Sequence, residues 1–386
     1  FPPPGYYTII EIVYEFLPPT EINTRLVSVA FYLLTLFMVY KLARYVRGRI
    51  FGAVTTLIVA LNPIFFTYAF EARNYTMFAF AATGSCFFLI ELSKKFNVFR
   101  SVAFILFSAL GIYTHYYMFF ILASQGLYLL IFDRKILFKM IGPYLIVGLL
   151  YLPWLPYLYK QLTSVSESYW IGSIDKRTHY EALLRILGGE HKNMFRPFLF
   201  GLSISLLVMG ILQHAFRRNL ETFQLRLGRA SLEPRFEKSY LLIWLWAIVP
   251  ILLATLPGYK LGEVQLPFRP IFFWRYLIGS SIPLSMVMVH AAQKFPRKMT
   301  AAVLTVVILL SLSIDIMTLV RYPRGFKQEY QDKIIGQITQ VDKIVTVLPS
   351  FAEVFYYRNR NDLQNDLIVL PEGLVQSSGK SLLDAY

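Results

Sequence analysis

Long apolar runs alternate with short charged segments along almost the whole chain. A helix that crosses a bilayer needs roughly 20 apolar residues at ~1.5 Å each. Runs of about that length lie near 24–43, 50–70, 75–93, 140–158, 198–216, 240–257, 274–292 and 299–320. The stretch 101–132 would be about 48 Å long as one helix, too long for one crossing and short for two. Charge separates the two readings. Lys94, Lys95 and Arg100 precede it and Arg134, Lys135 and Lys139 follow it. Basic residues favour the cytoplasmic side, so both ends belong there and the stretch predicts two short spans turning near Thr114–His115. The pattern predicts an all-α polytopic membrane protein with about ten spans.

Two segments depart from this pattern. Residues 4–17 are too short to span, and Glu11 and Glu15, four apart, suit a helix lying in the outer interface. Beyond residue 321, charges and amides mix with short apolar runs. KIVTVLP and DLIVL predict strands, with helical stretches near 328–340 and 350–357. The chain therefore divides into a transmembrane domain, 1–321, and a small soluble extracytoplasmic α/β appendage, 322–386.

Composition sharpens the class. The chain is 56% hydrophobic, 17% aromatic and only 16% charged, a balance of polytopic membrane proteins. The net charge of +15 would suit nucleic acid were it not confined to clusters between apolar runs, such as Lys41, Arg44, Arg47 and Arg49. That is the positive-inside pattern, not a nucleic-acid stripe. Alternation then places 71–74, 114–116, 159–197 and 258–273 on the extracytoplasmic side. The lone Cys86 sits inside an apolar run, which leaves no disulfide framework and no cysteine metal site. His179 and His191 match no standard ligand spacing, so no metal is expected. The opening FPPPGYY, with neither methionine nor signal peptide before it, reads as a fragment.

Polar residues beside lipid usually mark a site, and five sit on the same side at span ends: Glu71 and Arg73 in EARNY, His115 in YTHYY, and Arg275 with Tyr276 in WRYLI. Asn62–Pro63 breaks the helix before EARNY. Glu71 and Tyr75 share a helix face while Arg73 points elsewhere, which favours ligands over a simple i, i+4 pair. His115 stands among Tyr113, Tyr116 and Tyr117, either as an aromatic-belt histidine or as a hydrogen-bond partner for a sugar or phosphate. Arg275 could snorkel, but its planar fork suits a phosphate oxyanion. Asp315 could pair with Arg321. Asn74-Tyr75-Thr76 matches a glycosylation sequon too close to the membrane to weigh much.

Four segments in order carry a resemblance. FPPPGYY followed by NTRLVSVAFYLLTLFMVYKLARYV, then LNPIFFTYAFEARNYTMFAF, ALGIYTHYYMFFIL and FFWRYLIGSSIPL resemble segments of the GT-C superfamily. The similarity covers most of 1–320, nearest to the dolichyl-phosphate-mannose protein mannosyltransferase-like and lipid A sugar transferase-like enzymes. The resemblance implies a hexosyl- or pentosyltransferase of the cytoplasmic membrane. It would move a sugar from a polyprenyl-phosphate donor to a hydroxyl of a lipid, glycan or protein acceptor on the extracytoplasmic face, without cofactor. It further implies that Glu71, Arg73 and Tyr75 line the site beside His115 and Tyr116, with Arg275 on the lipid phosphate and Tyr276 next to it. The family's base is an aspartate ahead of the PP-x-YY segment, upstream of residue 1, which leaves Glu71 as the carboxylate in view. The alternative is a transporter or flippase of a lipid-linked sugar.

Overall fold

A computed structural model describes residues 3–164, 174–175, 177–226, 234–258, 260–261, 264–265, 271–321, 337–339, 342–347, 354, 358 and 362–370. It is overwhelmingly helical. The helices are α1 (Gly5–Phe16), α2 (Glu21–Arg47), α3 (Arg49–Ala60), α4 (Pro63–Ala69), α5 (Tyr75–Lys94), α6 (Val98–Ile112) and α7 (Met118–Phe132). They continue with α8 (Arg134–Tyr151), α9 (Leu155–Ser164), α10 (Thr178–Gly188), α11 (Arg196–Arg226), α12 (Pro234–Thr255), α13 (Ile278–Ala292) and α14 (Arg297–Arg321).

Each stretch predicted to cross a membrane is helical, and 101–132 turns at residues 113–117 between α6 and α7. Four helical segments among the described residues are long and apolar enough to cross a membrane: Glu21–Arg47, Tyr75–Lys94, Arg134–Gln161 and Arg297–Val320. The bent pair α3–α4 makes a fifth, and α6, α7, Arg196–Leu212 and Tyr240–Thr255 are shorter apolar helices.

Local chemistry sets the breaks. Thr20, Asn97 and Asp133 cap α2, α6 and α8 by accepting the backbone N–H three residues on. Asn62 does the same for α4, accepting from Phe65 N–H at 3.2 Å, and Pro63 occupies the first turn, where its missing N–H costs nothing. The chain bends by 67° there. A continuous helix carrying Glu71 and Tyr75 on one face does not form. Residues 70–74 leave the helix as a bend, and α5 starts afresh at Tyr75.

The chain forms two compact units. In the larger, Pro2–Leu155 with Ile171–Ile316, every residue of α13 is buried, packed among α3, α5, α10, α11 and α12. Outward apolar side chains such as Leu33, Phe37, Leu145 and Leu309 are exposed, as lipid-facing positions are. Between α5, α6, α7 and α8 lies a buried polar knot. Gln125 Nε2 donates to Ser85 Oγ at 3.0 Å and to Cys86 Sγ at 3.3 Å, Ser85 meets Ser108, and Tyr144 donates to Gln125 Oε1. Asp315 is buried, and among the described residues neither carboxylate oxygen is hydrogen-bonded; the side chain of Arg321, its expected partner, lies outside the described residues.

The second unit comprises Phe1, Pro156–Trp170 and Met317–Tyr386. Its strands β3 (Ile344–Val347) and β4 (Leu367–Leu370) pair in parallel, Ile344 opposite Leu367, matching the two predicted strands. The helices expected at 328–340 and 350–357 fall almost wholly outside the described residues. A short antiparallel pair, β1 (Lys260–Leu261) with β2 (Val264–Gln265), belongs to the larger unit.

Candidate functional site

The residues singled out by sequence meet at one end of the larger unit, where α4 ends, α5 and α13 begin, and α6 turns into α7. The bend carrying Glu71 and Arg73 is fixed by its main chain. Arg73 N–H donates to Glu71 O at 2.7 Å, and Ser28 Oγ, itself bonded to Tyr6, donates to Arg73 O at 3.2 Å. The Asn74 amide donates to Thr114 O at 2.6 Å, which ties the bend to the α6–α7 turn. Asn74 is thereby buried and committed, which removes it as a glycosylation acceptor. Gly5 N–H donates to Tyr113 O at 2.7 Å, a distance a Cβ at Gly5 would also occupy.

His115 is buried in a shell of rings: Tyr276 at 5.0 Å, Phe78 at 5.1 Å, Tyr117 at 5.3 Å and Tyr75 at 6.1 Å. Its Nδ1 accepts from Tyr117 N–H at 3.2 Å, which leaves the proton of the neutral ring on Nε2. Burial pulls its pKa down to about 3, because a charged imidazole would lack water. His115 is therefore a neutral Nε2–H donor at ordinary pH.

Tyr116 and Tyr117 part company. Tyr117 joins the ring cluster, 5.6 Å from Tyr276, and donates to Ile271 O at 2.6 Å. Tyr116 accepts from Trp154 Nε1 at 3.3 Å, and burial raises its pKa. The structure brings Glu71, Arg73, Tyr75, His115, Arg275 and Tyr276 together and turns Tyr116 toward the end of α8.

Arg275 lies in a 3-10 turn, Trp274–Leu277, that leads into α13. Its guanidinium stacks 4.8 Å from Phe273 and 4.9 Å from Trp274. It lies within hydrogen-bonding reach of Tyr75, and the charges of Arg275 and Arg73 both reach Tyr75 and Tyr276. Glu71 lies within electrostatic reach of Arg275 and Tyr68. Among the described residues, the Arg275 Nε–H is buried without an acceptor. A buried charged donor of this kind is costly unless an anion completes it.

Sequence reading missed Glu190 and Tyr68. Glu190 Oε1 stands 3.8 Å from Arg275, and Oε2 accepts from the Tyr68 hydroxyl at 3.1 Å. Glu190 is delivered by the end of α10. Gly189 adopts φ +91° and donates to Arg185 O at 2.9 Å, a left-handed stop natural to glycine. Asn62 Nδ2 holds Ile186 O at 3.2 Å, coupling α10 to the α3–α4 break. The Gly-Gly-Glu after a helical pattern was the available signal. Among the described residues no group of three or more His, Cys, Asp or Glu could hold a metal.

A helical scaffold of this topology, with a polar cluster capping one end, shares its fold with solved structures of ArnT and of an archaeal oligosaccharyltransferase. Residues 2–159 match the family described as dolichyl-phosphate-mannose-protein mannosyltransferase. ArnT from Cupriavidus metallidurans bound to undecaprenyl phosphate superposes with a TM-score of 0.64 at 13% identity, over 99% of this chain and 78% of that one. Its apo form gives 0.61 at 12%, over 96% and 76%. The apo Archaeoglobus fulgidus oligosaccharyltransferase gives 0.51 at 12%, over 96% and 57%. No curated protein matches the chain in sequence.

Proposed function

We propose that this protein is a glycosyltransferase that moves a sugar from a polyprenyl-phosphate donor to an acceptor hydroxyl at the extracytoplasmic face of the cytoplasmic membrane. One observation carries the reading. The Arg275 Nε–H is buried beside the rings of Phe273 and Trp274 and, among the described residues, without an acceptor. The likeness to a structure bound to undecaprenyl phosphate supports it.

In the reaction, the acceptor oxygen forms a bond to the anomeric carbon as the bond from that carbon to the phosphate oxygen breaks. The electron pair leaves with the phosphate, and the acceptor proton passes to a carboxylate. Arg275 neutralises the departing phosphate, with Arg73 and Tyr276 beside it. Tyr75 and neutral His115 offer hydrogen bonds to sugar or acceptor hydroxyls, while Tyr116, turned toward Trp154, takes no part in this reading. Glu71 binds the sugar or acceptor and is the candidate base among these residues.

The test places full-length protein in proteoliposomes with radiolabelled polyprenyl-phosphate sugars and envelope acceptors. Label should leave the lipid, and Arg275→Ala should slow release about 100-fold or more. Label that crosses the bilayer still attached to lipid would replace this reading with a flippase.

A further inference from the structure

Three guanidinium groups crowd one side of the cluster just described. Arg185, on α10, and Arg275 each stand 4.9 Å from the ring of Trp274, so they are at most twice that distance apart. Arg196 opens α11, and it lies within electrostatic reach of Arg185, Glu181 and Glu190. We infer that Arg185 and Arg196 form a second oxyanion site beside Arg275. It takes a phosphate group, carried either by the acceptor or as a second phosphate of the donor. The inference rests on the transferase reading and adds to it the charge class of one substrate.

Arg196 carries the argument. It is only 7% exposed, and among the described residues its Nε–H is buried without an acceptor. No acid among them pairs with it. The two nearby carboxylates stand beside other arginines, Glu181 by Arg185 and Glu190 by Arg275, each at 3.8 Å. Those separations exceed the roughly 2.7–2.9 Å of a charged hydrogen bond, so both acids screen the cluster without completing it. Three cations thus face two loose acids. A buried charged donor left open in this way is costly unless an anion fills it.

Local structure brings Arg196 to Arg185. Gly188 lies three residues beyond Arg185 on α10, hence on the same face, and a Cβ there would stand 3.0 Å from Arg196 Cγ. The missing side chain lets Arg196 lie across the last turn of α10. The start of α11 is closed separately, because Asn193 Oδ1 accepts the N–H groups of Phe195 and Arg196 at 3.0 and 2.9 Å. A cation in the first turn opposes the helix dipole. Arg196 therefore does not serve α11 and adds to a positive field that an anion would relieve. The cluster is open to an arriving ligand, since the Arg185 and Arg275 side chains remain 32% and 29% exposed. An oxyanion would meet those two first and Arg196 behind them.

A plainer role for Arg196 is to complement the C-terminal end of α10, which asks for no ligand. Phosphorus NMR line broadening of inorganic phosphate separates the two roles. It is measured on the full chain in dodecyl maltoside micelles, with the Arg275 position first filled by excess undecaprenyl phosphate. Inorganic phosphate should still bind saturably. Arg185→Gln and Arg196→Gln should each weaken that binding about tenfold. Arg185 is partly exposed, so its variant decides the matter even where Arg196→Gln fails to fold. Undecaprenyl diphosphate as the filler then assigns the source. It blocks inorganic phosphate where the second phosphate belongs to the donor, and leaves binding intact where it belongs to the acceptor. The inference is overturned by no saturable binding beside undecaprenyl phosphate, or by wild-type binding in Arg185→Gln. Label release in proteoliposomes is measured without inorganic phosphate, so this inference and the transferase reading fail separately.

Discussion

The Tyr68 hydroxyl donates to one oxygen of Glu190 at 3.1 Å while the other oxygen stands 3.8 Å from Arg275. At that distance the carboxylate shares Arg275's neighbourhood without making a short hydrogen bond to it. A donor phosphate at Arg275 would meet this carboxylate as a like charge. Glu190→Gln keeps an acceptor for Tyr68 and removes the repulsion. The donor KM should fall about three- to fivefold, the scale of a partly exposed ion pair. A KM that rises tenfold instead would mean that Glu190 holds Arg275 in position.

His115 gives a pH signature. An unfolded imidazole titrates near ~6.5, whereas the native ring titrates at about 3. The unfolded chain takes up the proton first, so this group's stabilising share is complete above ~6.5 and is lost as pH falls toward 3. His115→Gln should flatten the decline of the unfolding temperature between pH 7 and 5. The pH profile of kcat should show no His115 titration in that interval. A kcat transition there that His115→Gln abolishes would refute the neutral assignment.

Gly189 supplies a geometric test. At φ +91° an alanine is strained, and its Cβ would lie 2.8 Å from Pro63 Cβ. Gly189→Ala should cost about 1–3 kcal/mol and push Glu190 away from Arg275. Thermal unfolding and donor KM should change together; an unaltered unfolding temperature would contradict the described turn.

Gln125 separates stability from chemistry. It joins Ser85, Cys86 and Tyr144 in a buried knot, none of whose hydrogen bonds involves Arg275. Gln125→Leu should destabilise by about 1–2 kcal/mol, at the upper end for hydrogen bonds between membrane helices, with donor KM unchanged. A large KM effect would place this knot in communication with the site.

What could be read without coordinates follows from where the determining interactions lie. The turn at Thr114–His115 was legible because the charges at the ends of 101–132 constrain both ends of one local segment. The break at Asn62–Pro63 was legible for the same reason, since cap and proline are adjacent. Glu190 was not, because it reaches Arg275 only through the glycine turn ending α10 and the bend of α4. Tyr116 and Tyr117 differ by one residue, yet Tyr117 packs on Tyr276 while Tyr116 meets Trp154; both lie in the turn ahead of α7, where no helical period in the sequence reveals their directions. The shared face expected for Glu71 and Tyr75 failed because residues 70–74 leave the helix.

The segments around the cluster are moored to main-chain oxygens. Gly5, Ser28, Asn62, Asn74 and Tyr117 bind the carbonyls of Tyr113, Arg73, Ile186, Thr114 and Ile271. A carbonyl is the same whatever side chain its residue bears, so each mooring constrains only one of its two positions. Half of the fastening is invisible to substitution. That gives a physical route by which an architecture can outlast its spelling, down to the 12–13% identity at which this chain still overlays ArnT.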